Sequence, residues 1–167
     1  MNASHDTPTS STASSKANTA RKPPAWFVHL AWRVHRTLHR LTGGRLLWTT
    51  TNKRGWGAMQ LTTTGRHSGQ DRMVIIGYLE DDENLVSLAM NGWDEGHPAW
   101  WLNLADHPEA TIRLAHGEPR RVHAREATGD ERHRLWDMWA VADPNLIAPA
   151  TGRSTTTPVV VFEPAAR

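Results

Sequence analysis

Short apolar and β-branched segments, separated by turn-forming residues, recur through the last two thirds of the chain. This pattern is typical of β-strands rather than helices, because the segments are short and Gly, Asp, Asn or Pro lies between them. The first three segments are joined by polar turns and predict an antiparallel meander, and the next two predict a hairpin. The predicted strands cover residues 58–64, 72–79, 85–90, 111–115, 120–126 and 159–162.

Three further segments have the periodicity of helices. In residues 26–41 the apolar side chains fall within an arc of about 140°, and four basic side chains share the opposite face. Residues 97–106 place Pro98 in the first turn, where the N–H that proline lacks would be unpaired in any case. Residues 128–131, Thr-Gly-Asp-Glu, form a capping box that opens a helix to about Ala142. The Pro-, Gly- and Thr-rich segment that follows predicts a loop.

Because strands predominate and helices are few, the sequence predicts a mainly β fold with flanking helices (α+β), a small β-barrel with helices outside it. Residues 1–24 are rich in Ser, Thr, Ala and Asn. They carry too little apolar surface to offset the entropy lost on ordering, so we predict a disordered tail. An amphipathic helix is then expected over 25–44, ending at Gly43 and Gly44, and a barrel domain over 45–167.

The composition excludes several kinds of function. The chain of 167 residues has no cysteine, which excludes disulfides, thiolate zinc sites, cysteine-held iron–sulfur clusters and a cysteine nucleophile. His35 and His39 are four residues apart, but no third ligand is evident nearby, so we predict no metal site. No apolar run reaches the roughly 20 residues that cross a bilayer, and the N-terminus lacks the apolar stretch of a secretory signal. The expected location is the cytoplasm.

The charge is unevenly distributed, although the net charge is only +2. Residues 1–60 carry nine Lys or Arg and one acidic residue, whereas residues 61–167 carry ten Lys or Arg and sixteen acidic residues. The basic front half indicates a surface that meets anions such as headgroups, phosphates or an acidic cofactor tail. For residues 26–41 two interpretations stay open, packing on the domain and peripheral contact with the inner face of the membrane. Nucleic-acid binding is not expected, because the basic residues lie mostly in the tail and on one helix face.

A polar segment between the first two predicted strands carries the most chemistry. Residues 62–72, Thr-Thr-Thr-Gly-Arg-His-Ser-Gly-Gln-Asp-Arg, place two glycines, two arginines, a histidine and a serine in one turn. Glycine lets backbone N–H groups approach an anion, and the arginine fork matches phosphate oxygens. An ordinary polar hairpin turn is the alternative on composition alone. The segment is neither a Walker loop, which needs Gly-Lys-Ser/Thr, nor a Gly-x-Ser-x-Gly elbow, because Ser68 stands one place too late.

Several motifs together resemble the deazaflavin (F420)-dependent nitroreductase and quinone reductase family. They are residues 61–72, Ala-Met-Asn-Gly at 89–92, His-Pro-Ala-Trp-Trp-Leu-Asn-Leu at 97–104, residues 125–132 and the closing segment 158–164. The resemblance covers roughly residues 26–164 and implies a split β-barrel, flavin-reductase-like, that binds F420 in a groove. It also implies hydride transfer from reduced F420 to a quinone, a nitro-aromatic or a similar hydrophobic acceptor.

The resemblance also assigns cofactor-binding residues by matched position. It names no catalytic side chain, because the cofactor carries the hydride and the protein supplies position and electrostatics. The phosphate would be held by Arg66, His67, Ser68, Gly69 and Arg72, the cofactor would lie along Met90, Asn91 and Gly92, and the helix would contact it through Trp100 and Asn103.

Three departures from the family pattern affect these assignments. His67 stands where the family usually has Lys, so phosphate binding is expected to weaken as rising pH removes the imidazole charge. Met90 and Asn91 replace a smaller hydroxyl residue and often a basic one, which removes polar contacts. The tyrosines that some members carry before the last strand are absent from residues 143–149. The acceptor pocket is therefore expected to be apolar and to favour flat hydrophobic acceptors.

Two other functions stay open on the sequence alone. An FMN-binding split-barrel protein would use the same barrel and phosphate turn for an ordinary flavin. A non-enzymatic carrier of F420 or of a lipid-like ligand would bind without turnover, and the missing tyrosines are consistent with such a role. The sequence does not indicate the physiological acceptor or the oligomeric state.

Overall fold

The computed structural model of the protein describes residues 55–92 and 94–165. The predicted tail (1–24) and the amphipathic helix with its proposed membrane contact (25–44) lie outside the described residues, as does the start of the predicted barrel domain. Within the described residues, strands form at all six predicted places, and their ends differ from the predicted ends by up to two residues. The strands are β1 (Trp56–Thr64), β2 (Asp71–Asp81), β3 (Asn84–Leu88), β4 (Glu109–Arg113), β5 (Arg120–Glu126) and β6 (Val159–Pro164).

The six strands form a closed barrel in the order β1-β2-β3-β6-β5-β4, and every neighbouring pair is antiparallel. The predicted meander is confirmed as β1-β2-β3, and the predicted hairpin as β4-β5. The barrel closes because β6 lies between β3 and β5, while β4 pairs with β1. A mainly β fold with flanking helices is therefore confirmed.

The alternation of side chains along the strands produces two apolar layers. In β1 every second residue is buried, which is the pattern of a strand with one face toward a core. β6 is instead buried over four successive residues, because a second core lies outside the barrel beneath the helices. The inner layer includes Met59, Leu61, Ile112 and Phe162, and the outer layer includes Val86, Leu135, Trp139 and Val161.

One side of β2 is only partly paired. β2 pairs with β1 over nine residues, from Thr64 opposite Asp71 to Trp56 opposite Leu79. Its pairing with β3 covers only three residues, Leu79–Asp81 opposite Asn84–Val86. Residues 71–78 therefore have no strand partner on the β3 side among the described residues. This leaves an opening in the barrel wall between β2 and the end of β3.

In the described part of the chain, three helices lie outside the strands: α1 (Ala99–Asp106), α2 (Gly129–Ala142) and α3 (Pro144–Thr151). The first two were predicted, but Pro98 lies at the N-cap of α1 and not in its first turn. The predicted loop after Ala142 is wrong over residues 144–151, which form α3, and is confirmed over residues 152–158, which lie in neither a helix nor a strand. No helix in the described part of the chain is long and apolar enough to cross a membrane.

The helix starts differ from the predicted capping pattern. Thr128 is the N-cap of α2, but its side chain makes no capping hydrogen bond. The predicted capping box is therefore wrong. The Glu131 carboxylate accepts two hydrogen bonds from Arg125 on β5 instead, at 2.7 and 2.8 Å. At α3 the Asp143 carboxylate accepts from the backbone N–H of Asn145 at 3.2 Å. Asp143 thus provides the N-cap that starts the unpredicted helix.

Arg125 joins three elements through its guanidinium. Besides the two bonds to Glu131 on α2, its Nε donates to Glu163 on β6 at 2.7 Å. The bonds to Glu131, and then to Glu163, raise the pKa of Arg125, and the same contact holds the pKa of Glu131 below its usual range. The Arg125–Glu131 ion pair attaches α2 to the barrel above the ordinary pKa of a glutamate side chain and weakens as falling pH protonates Glu131.

Candidate functional site

The turn between β1 and β2 (residues 65–70) closes on its own backbone. The N–H of Gly65 donates to the carbonyl of Gln70 at 2.8 Å, and the N–H groups of Ser68 and Gly69 donate to the Gly65 carbonyl at 3.1 and 2.7 Å. A Cβ atom at Gly65 would lie 2.9 Å from Ser68 Oγ and 3.0 Å from the Gln70 carbonyl oxygen. Glycine is therefore required for the turn to be this tight.

This turn and the start of β2 present positive charge that no carboxylate of the described residues neutralises. Arg66, His67 and Arg72 line one cavity of about 440 Å³. Among the described residues, no Asp or Glu forms an ion pair with Arg66 or Arg72. A guanidinium N–H of Arg72 donates to Ser68 Oγ at 3.3 Å, which directs the hydroxyl and the arginine to the same place. Two guanidinium groups that have no carboxylate partner among the described residues, beside a serine hydroxyl, are typical of an anion-binding site.

Helix α1 forms the wall opposite this turn. Its Asn103 is 5% exposed and hydrogen-bonds to both Arg66 and Thr63. Trp100, one turn earlier, is 7% exposed and packs against Phe162 of the inner layer, with ring centroids 6.4 Å apart. The helix therefore holds the turn with one side chain and the barrel core with another.

A second cavity, of about 450 Å³, lies at the opening in the barrel wall. Its lining is mainly apolar and comes from β2, the end of β3, α2 and α3, including Ile76, Leu88, Trp139 and Leu146. Four residues, Val74, Asn91, Pro98 and Trp100, line both cavities. We call the two together the groove, with a basic end at the β1–β2 turn and an apolar end at α3.

The groove collects nine of the ten predicted site residues. Gly69 lines neither cavity, and its N–H is used within the turn. That the ten predicted residues bind a cofactor stays a prediction. Arg66, His67, Ser68, Arg72 and Asn103 line the basic end, Met90 and Gly92 line the apolar end, and Asn91 and Trp100 line both.

The structure adds groove residues that sequence reasoning missed. Ser87, on β3, is 3% exposed and lines the apolar end, and among the described residues no group hydrogen-bonds to its hydroxyl. A serine inside the apolar strand Asn84–Leu88 was the signal that could have found it. Asn145 and Pro149 of α3 also line this end. The Asp-Pro pair at 143–144, a common helix start, could have indicated that helix.

The site contains no metal-binding constellation. Within residues 55–92 and 94–165, no group of three or more His, Asp or Glu side chains could hold a metal ion. What the groove offers is cations at one end, a flat apolar slot at the other and a tryptophan between them. Such a site can hold an elongated ligand that carries both an anionic group and an aromatic ring system.

Comparisons with known proteins agree on one family. The sequence profile of the F420H(2)-dependent quinone reductase family matches residues 31–164. Over 101 residues the chain is 31% identical to a Mycobacterium tuberculosis protein provisionally designated an F420H(2)-dependent quinone reductase, covering 59% of this chain and 82% of that protein.

Solved structures support the same conclusion. A structure of an F420-H2 dependent reductase is 29% identical, covers 64% of this chain and 93% of its own, and superposes with a TM-score of 0.57. A second structure, described as a domain-swapped dimer, is 27% identical, covers 81% of this chain and 99% of its own, and has a TM-score of 0.58. The split-barrel fold, the F420 cofactor and the oxidoreductase class that the sequence indicated are thereby confirmed. The chain belongs to the F420H(2)-dependent quinone reductase family.

Proposed function

We propose that the groove binds reduced F420 and that the enzyme passes its hydride to a flat, hydrophobic acceptor of the quinone type. The observation that carries this proposal is the continuity of the groove. Arg66 and Arg72, which form no ion pair with a described carboxylate, lie at one end, apolar side chains lie at the other, and four lining residues are shared. The family gives the class of reaction, and the groove supports the finer assignment of ligand parts to its two ends.

The residues present fit a phosphate-bearing deazaflavin. Arg66, Ser68 and Arg72 would hold the phosphate, because their donors face one cavity without a competing carboxylate among the described residues. At the apolar end Val74, Ile76 and Leu88 offer apolar surface on which the deazaflavin ring would lie. The bound cofactor supplies the hydride, whereas the protein orients it and excludes water.

The acceptor is expected to lie against α3. Leu146 and Pro149 contribute apolar surface to the groove there, and no tyrosine does. Apolar walls with few polar groups bind flat hydrophobic molecules and discriminate weakly among them. Quinones are therefore the expected acceptors, and an extended nitro-aromatic would fit the same surface.

We expect a menaquinone analogue to be reduced with a higher kcat/KM than a small polar enone. Steady-state oxidation of reduced F420 with each acceptor measures this preference. Leu146→Asn should lower kcat/KM for the quinone about tenfold, since a buried apolar contact of roughly 1–2 kcal/mol is lost. Val141→Asn, at an 85% exposed position on α2, is the control and should leave kcat/KM unchanged for both acceptors. A preference for the polar enone would contradict an apolar acceptor site.

The choice of cofactor is tested by titrating the purified protein with F420 and with FMN. Tight binding of F420, and turnover with a quinone, is the expected result. Tight binding of FMN without F420 would instead support the flavin-binding alternative. Binding of F420 without reduction of any acceptor would support the non-enzymatic carrier.

A further inference from the structure

Asn103 makes three hydrogen bonds that connect α1 to the β1–β2 turn. Its Oδ1 accepts from the backbone N–H of Arg66 at 3.2 Å and from the Arg66 guanidinium at 3.4 Å. Its Nδ2 donates to Thr63 Oγ1 at 3.1 Å, and that hydroxyl donates in turn to the Arg72 carbonyl at 3.4 Å. One buried amide therefore contacts the end of β1 directly, contacts the turn directly, and reaches the start of β2 through Thr63.

These bonds leave the amide little capacity to bind a ligand. A side-chain amide has two acceptor lone pairs and two donor N–H groups. Both lone pairs face Arg66 and one N–H faces Thr63, so at most a single N–H is free. A phosphate accepts hydrogen bonds and would find at Asn103 one donor at best. Arg66 itself offers several donors and has no carboxylate partner among the described residues.

Because the Asn103 side chain is neutral, it does not reduce the positive charge of Arg66. A carboxylate in the same place would accept the same two bonds from Arg66 but would also form an ion pair with it. The guanidinium would then be largely neutralised before an anion arrived, because opposite charges in contact cancel most of each other's field. An amide fixes the direction of the guanidinium and leaves its charge available.

We infer that Asn103 is a positioning residue, which holds the Arg66 guanidinium toward the basic end of the groove and does not itself bind the cofactor. This inference rests on the proposed function for the identity of the anion, the phosphate of F420. It differs from the assignment by resemblance, in which Asn103 contacts the cofactor directly. It also predicts that Asn103 matters only as long as Arg66 is present.

A double-mutant cycle tests this dependence. The dissociation constant of oxidised F420 is measured by fluorescence titration for the wild type, Asn103→Ala, Arg66→Ala and the double variant. Asn103→Ala should weaken binding about tenfold in the wild type and by less than about threefold in the Arg66→Ala background. An equal factor in both backgrounds would mean that Asn103 contacts the cofactor, and the inference would be wrong.

Two further measurements separate positioning from folding. Asn103→Asp loses the N–H that is donated to Thr63, so it should still fold but with a lower melting temperature. It should also bind F420 more weakly and show a shallower dependence of affinity on salt, since Arg66 is then neutralised. Affinity equal to the wild type would contradict the role of the neutral amide.

In the ligand-free protein, Asn103→Ala should accelerate hydrogen exchange at the Arg66 amide, and an unchanged rate would contradict the hydrogen bond between Asn103 and Arg66. If the wild type bound no F420, the proposed function would fail while the exchange rate still reported on the Asn103–Arg66 contact.

Discussion

Replacing Arg72 by alanine is expected to weaken F420 binding by about 1–3 kcal/mol, the range for a charge-assisted hydrogen bond. This corresponds to roughly 5- to 150-fold in the dissociation constant. Arg72 lies at the start of β2, where its guanidinium meets Ser68 Oγ at 3.3 Å and no described carboxylate forms an ion pair with it. Its charge is therefore available to a ligand phosphate.

Titration of oxidised F420 into wild type and variant measures the effect, and raising the salt concentration should narrow the difference. Arg120→Ala removes the same charge from an exposed position on β5, outside both parts of the groove. That control should leave the dissociation constant within twofold of the wild type. Equal losses in the two variants would show that only the net charge matters and that no phosphate lies beside Arg72.

Replacing Trp139 by alanine should lower the free energy of unfolding by about 3–5 kcal/mol, as for other large aromatic residues removed from a core. Trp139 is 2% exposed and lies in the outer apolar layer, where α2 packs on the barrel. Its ring also faces Gly77 and lines the groove. The barrel cannot collapse into the vacated space without moving a helix, so most of the cavity should persist.

Urea denaturation of the ligand-free protein measures this loss without any contribution from the cofactor. Val141→Ala is the matched control on the same helix, where the side chain is 85% exposed, and should change stability by less than about 0.5 kcal/mol. A loss below about 1 kcal/mol for Trp139→Ala would mean that α2 contributes little to the folded state. The contact between the helix and the barrel would then be weaker than the burial indicates.

The strands and the β1–β2 turn could be predicted because their signals are local. Short apolar segments marked the strands, alternating with polar residues in β1 and continuous in β6, and the glycines and arginines of residues 65–72 lie within eight residues of one another. The pairing of β4 with β1 and the place of β6 depend on contacts between distant segments, which no single segment encodes. The resemblance to a family implied a split barrel but gave no order of strands within it.

The errors have the same physical origin. Thr128 and Glu131 match a capping box, but Arg125 on the neighbouring strand offers Glu131 two charged hydrogen bonds that a backbone N–H cannot equal. Pro149 within a Pro-rich segment indicated a loop, although the cap at Asp143 starts a helix that contains it. Ser87 was overlooked because its position at the groove depends on where β3 ends relative to β2.

The position of β6 also sets the order in which the protein can be completed during synthesis. β6 follows the other five described strands in the sequence, yet it lies between β3 and β5 and pairs with both. Until residues 159–164 have left the ribosome, the meander and the hairpin each keep an unpaired strand edge. Ring closure is thus a late event that depends on contacts distant in sequence, which makes folding slower than that of a helical domain of equal size.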